Sequence, residues 1–160
     1  MRTKILYPII AHVLICIISF IAYNAFLMGP EGGILSVAIS QWVNETIARV
    51  VMFCVVVIGL GITIISYFKM GRLLSFEDKH NAIFGVLSVL FINVLVFVFF
   101  AIFTKDNSLT TVEYYSKMTF NAPFFPILFT LGWCGIISVI ATSFLPSIIM
   151  FLGYLYGLRE

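Results

Sequence analysis

Charge is what this sequence has least of. Only 10% of its 160 residues are Asp, Glu, Lys or Arg, against roughly 25% in soluble domains. Apolar residues make up 62%. The balance excludes a soluble domain and a disordered chain, and no polar stretch is long enough to build a separate globular core. A net charge of +2 gives no reason to expect a nucleic-acid partner.

The chemistry of most membrane enzymes and coupled carriers is missing too. No Asp or Glu falls inside any of the long apolar runs. Proton- or sodium-coupled carriers usually need an intramembrane carboxylate, and an aspartyl protease needs two. There is no Gly-rich phosphate loop, no HExxH and no helical Glu-x-x-His pattern. The three cysteines, Cys16, Cys54 and Cys134, form no CxxC pair and lie in apolar surroundings, where a thiol behaves as a small hydrophobe. The expectation is therefore a protein that is not an enzyme and carries no cofactor or metal.

What is present is a set of apolar runs. The clearest is Asn81 to Thr104, uncharged throughout and lacking the polar face of a soluble core helix. About 20 apolar residues cross the hydrocarbon core of a bilayer. Ile5 to Met28 reads as another span. Its run exceeds the roughly 7–15 apolar residues of a secretory signal, and Pro8 falls in its first turn, where a missing N–H costs little. A third covers about Thr46 to Phe68. The uncharged tail Met118–Leu158 is read as one span, Pro126 to about Pro146, with a kink at Pro146 and a final segment that continues the helix or turns along the interface. The predicted fold is an all-α integral membrane protein: a single domain forming a four-transmembrane-helix bundle, spans about 5–28, 46–68, 81–104 and 126–146.

The connections carry their own pattern. Gly29-Pro30-Glu31-Gly32-Gly33 ends the first helix. The stretch that follows alternates apolar and polar residues at helical spacing and predicts an amphipathic segment lying on the interface, Trp42 at headgroup depth. Arg49 is an i,i+4 partner of Glu45 and can snorkel outward. Ser75-x-x-Asp78 before the third span has the spacing of a capping box, a better account of Glu77, Asp78 and His80 than a metal cluster. Thr110-x-x-Glu113 repeats that spacing in the third loop, with Tyr114 and Tyr115 at interfacial depth. Arg2, Lys4, Lys69, Arg72, Lys79 and Arg159 segregate to the termini and the second loop, 69–80. By the positive-inside rule these face the cytoplasm of a bacterial-type inner membrane, leaving loops 29–45 and 105–121 together outside.

Few polar residues sit inside the spans. Asn93, near the middle of the third, needs a partner on another helix. His12 predicts a neutral imidazole bonded to a neighbouring helix; one histidine does not hold a haem, and a His12–His80 pair is a lesser alternative. Gly59 and Thr63 form a small-xxx-small step suited to close helix approach, and Thr130, Cys134, Ser138 and Thr142, with Gly135 beside them, form a narrow stripe of small residues. The expected function follows from these features: helix–helix binding to another membrane protein, as an accessory or assembly subunit or an immunity-type inhibitor. The partners are then the bilayer and another membrane protein or a second copy. The alternative is a homo-oligomeric channel or small-solute transporter, in which the stripe lines a pore; the third reading is a lipid- or quinone-site enzyme using His12.

Overall fold

The computed structural model describes residues 3–26, 45–103, 124 and 136–159. These residues are all-helical apart from turns, in four helices: α1 Thr3–Phe26, α2 Glu45–Leu74, α3 Lys79–Phe103 and α4 Ile136–Gly157. Two stretches, Phe53–Leu74 in α2 and Lys79–Val96 in α3, are long and apolar enough to cross a membrane. The apolar parts of α1 and α4, Leu6–Ala22 and Ala141–Gly157, are shorter.

The most extensive contact is that of α2 with α4, and α3 packs to nearly the same extent against α1 and α4. Gly71 lies against the Met150 carbonyl and Gly157 against Ser75, so contact advances toward the C-terminal end of both α2 and α4. The two helices run parallel. Likewise Pro8 meets Gly85 and His12 meets Asn93, which makes α1 and α3 parallel. Between α2 and α3 the turn Ser75–Asp78 reverses direction. Leu74 meets Gly85 near the turn, while Tyr67 and Asn93, farther away along each helix, meet at His12.

One boundary differs from the sequence reading, and a second was left open by it. α2 runs on to Leu74 instead of ending near Phe68. Met70, Gly71 and Leu74 are buried there, while Lys69 and Arg72 are exposed on the other side of the same turns. The packing of the apolar side carries the helix through its charges, and long basic side chains reach water without breaking it. The last helix, described from Ile136, does not end near Pro146 but passes through it to Gly157, the continuing course of the two left open there. A proline costs the bond to the carbonyl four residues back. Here the loss is offset by a buried face of Thr142, Ser143, Pro146, Ser147, Met150, Gly153 and Tyr154 at helical spacing. Residues 126–135 lie outside the described part.

The turn also differs in detail. Ser75 does not cap α3: its hydroxyl donates to the Arg72 carbonyl at 2.7 Å and so closes α2. Asp78 stands where the helix starts, its carbonyl accepting the first i,i+4 bond from the Ala82 N–H at 3.0 Å. The core is formed by Tyr67, Met70, Leu74, Ala82, Val86, Val89, Met150 and Tyr154, with Phe124 packed onto it.

Candidate functional site: a histidine-centred polar knot

Inside this apolar core the described helices bring their strongest polar groups to one place. His12 is completely buried on α1. Its Nε2 lies 2.9 Å from Asn93 Oδ1 on α3, and its Nδ1 lies 2.8 Å from the Tyr67 hydroxyl on α2. Asn93 in turn donates from Nδ2 to the Ser143 carbonyl of α4 at 3.0 Å. Four helices are joined through three hydrogen bonds.

The direction of each bond follows from what each group can do. An amide oxygen only accepts, so the His12 Nε2–H donates to Asn93. The other nitrogen then offers its lone pair, and the Tyr67 O–H donates to it. Cys16, one turn along α1, puts its sulfur 3.7 Å from Nε2 and 3.9 Å from Nδ1. Phe124 stacks on Tyr67 with ring centroids 6.1 Å apart and planes 20° apart, closing the apolar side. The polar groups of the knot are paired, as a bare one costs several kcal/mol away from water; the buried Ser147 hydroxyl, farther along α4, has no partner among the described residues.

The chemistry open to this arrangement is narrow. Both ring nitrogens of His12 are engaged by protein groups, so the ring turns no lone pair toward a metal, a haem iron or a reacting molecule. Among the described residues no three His, Cys, Asp or Glu side chains stand close enough to hold a metal ion. His80 is exposed on the first turn of α3 and is not among the partners of His12.

The other residues singled out by sequence are distributed unevenly. Asn93 and Thr142 are buried within the chain itself. Asn93 therefore spends its amide on helices of this chain, so neither residue offers an outward surface to a partner. Thr130, Cys134, Gly135, Trp42, Tyr114 and Tyr115 lie outside the described residues, as do loops 29–44 and 105–121; the side chains of Ser138 and Arg49 do so too. Thr63 faces inward, but a Cβ on Gly59 would have no described atom within 4 Å, so the Gly59–Thr63 step does not mark a contact between described helices.

Sequence reasoning missed three features. Tyr67 reads as one more aromatic at the end of a span. Ser143 and Ser147 flank the stripe that was recognised at Thr142. The close helix approach belongs to Gly71, Gly153 and Gly157, and Gly153-x-x-x-Gly157 was a small-xxx-small signal available in the sequence. A Cβ on Gly71 would overlap the Met150 carbonyl, and one on Gly153 the Phe68 carbonyl. The two glycines thus let the backbones of α2 and α4 touch. Comparison with protein-family models, characterised proteins and solved structures finds no match for this chain.

Proposed function

We propose that the chain spans the membrane four times, with both termini on the cytoplasmic side of a bacterial-type inner membrane. In this reading it acts without catalysis, by packing a helix face against another membrane protein. The observation that carries this reading is Gly61. A glycine inside a helix costs about 1 kcal/mol relative to alanine, and the other close-packed glycines of the helices repay it by admitting a neighbour. A Cβ on Gly61 would meet no described atom within 4 Å. It lies among the outward-facing Cys54, Ile58, Ile62 and Ile65, on the side of α2 opposite the buried Thr63, Tyr67 and Met70. A notch in an apolar outer face suits the close approach of an external helix, where association depends on packing because lipid tails are as apolar as leucine.

The spanning part of the proposal draws support from the exposed faces. Leu14, Ile18 and Ile21 on α1, Val57, Ile58 and Ile65 on α2, and Phe84, Leu87 and Phe91 on α3 all point outward. Apolar surface on this scale calls for lipid or protein around it. The apolar parts of α1 and α4 are roughly 25 Å long at 1.5 Å per residue, which snorkelling ends and local thinning can fit to a core of about 30 Å. The histidine knot, its hydrogen bonds spent between helices of this chain, suits an accessory subunit or an immunity-type inhibitor, whose work is done on its outer surface.

The test is to tag the C-terminus, extract the protein gently from its native membrane and weigh what accompanies it. A stoichiometric membrane-protein complex is expected from the unaltered chain. Gly61→Leu should lose the companion and keep the same melting behaviour. A homogeneous homo-oligomer that conducts on reconstitution would overturn the reading in favour of a channel.

A further inference from the structure

We infer that the end of the molecule where α2, the Ser75–Asp78 turn and α4 meet is a binding surface for the phosphate headgroups of acidic phospholipids. The inference rests on the membrane-spanning reading and adds to it the chemistry of one leaflet. Four full cations gather here: Lys69 and Arg72 on the last turns of α2, Lys79 at the start of α3 and Arg159 just beyond α4, all exposed. The close approach at Gly71 and Gly157 holds them together, since Gly157 lets α4 close onto Ser75 and the stem of Arg72.

Arg72 is held in place. Its guanidinium stands 6.0 Å from the centroid of the Tyr156 ring, and Tyr156 leans on Phe68 with centroids 5.6 Å apart. The ring contact fixes where the positive charge of Arg72 stands at this end of the molecule. Two carboxylates share the turn, Glu77 and Asp78. Asp78 immediately precedes the first turn of α3, where the positive end of the helix offsets its charge.

Apolar side chains decide between a lipid and a soluble phosphate. Phe76, at the tip of the turn, is 80% exposed, and Leu73 and Leu158 are exposed beside the cations. A free anion would use the cations and leave these side chains in water. A lipid uses both: its headgroup meets Lys69, Arg72, Lys79 and Arg159 while its acyl boundary covers Phe76 and Leu73. Basic residues of this kind each contribute to attraction by an anionic leaflet, and apolar residues at the same depth anchor it.

The experiment places the full chain in nanodiscs of equal parts phosphatidylglycerol and phosphatidylcholine and counts retained lipids by native mass spectrometry. Phosphatidylglycerol should be retained in preference. Lys69→Gln with Lys79→Gln, two exposed side chains, should cut that preference about twenty-five-fold, near fivefold for each cation. Arg72→Gln and Phe76→Ser should each weaken it, and millimolar inorganic phosphate should not compete. Equal retention of the two lipids by inserted protein, or an undiminished preference in the lysine double variant, would overturn the inference. Displacement by inorganic phosphate would also overturn it, in favour of a soluble-anion site. Failure to insert into phosphatidylcholine alone, read separately by resistance to alkaline extraction, would overturn the spanning reading on which it rests.

Discussion

His12 shows how one side chain can specify a packing that apolar residues leave loose. Leu, Ile and Val on these helices would accept several rotations about the helix axes, but the imidazole has one arrangement that serves Tyr67 and Asn93 at once. Interhelical hydrogen bonds in membranes are worth only about 0.6 to 2 kcal/mol net, so the value of the knot lies in penalising wrong arrangements, which strand polar groups in the apolar core. His12→Ala is expected to cost about 2–4 kcal/mol, combining the cavity with the stranded Asn93 oxygen and Tyr67 hydroxyl. In a double-mutant cycle with Asn93→Ala the two should couple by about 1 kcal/mol, measured by reversible unfolding in mixed micelles. Additive effects would show that the bond between them contributes nothing. His12 and Asn93 were recognisable in the sequence as polar residues that must find partners. Their union was not, because the residues bonded to His12 lie 55 and 81 positions away, and no local pattern encodes a distance of that kind.

Glycine does the corresponding work for elements. α2 and α4 meet through Gly71 and Gly153, each lying against a backbone carbonyl of the other helix, a geometry that admits weak Cα–H···O contacts as well as dense packing. Since the clashing atoms belong to backbone and not to a flexible side chain, Gly153→Ala must push the helices apart. A loss of more than 2 kcal/mol is expected from that separation. Gly61→Ala, with open space beside it, should leave stability unchanged or raise it by up to about 1 kcal/mol. Thermal unfolding in one detergent compares the pair, and equal tolerance of both would contradict the assigned crossing. The existence and type of the first three helices followed from length and hydropathy alone. The end of the fourth stayed open, because Pro123, Pro126 and Pro146 punctuate a tail with no charge to mark either end. The small-residue pattern was read at Gly59 and Thr63, since composition identifies a close-approach surface without saying which helix uses it.

At the scale of the molecule α2 packs most on α4, and α3 on both α1 and α4; in direction α1 pairs with α3 and α2 with α4, while the turn between α2 and α3 reverses the chain. That pairing is what alternating crossings of a bilayer require, odd helices running one way and even helices the other. On the proposed topology the basic residues of the turn and of the C-terminus share one side, and the notch at Gly61, proposed above as the partner contact, falls within the bilayer. Charge distribution is what suggests this topology in the sequence; the way the helices pair was not readable, since the charges lie outside the packed surfaces. The central claim, that the chain crosses the membrane four times, is tested most directly by cysteine labelling in intact cells. In a chain freed of Cys16, Cys54 and Cys134, a membrane-impermeant maleimide should label Thr111→Cys without permeabilisation and should reach Lys79→Cys and Arg159→Cys only after it. Labelling of Lys79→Cys or Arg159→Cys in intact cells, with Thr111→Cys protected, would contradict the orientation. Labelling of Lys79→Cys and Arg159→Cys on opposite sides would contradict the four-span account itself.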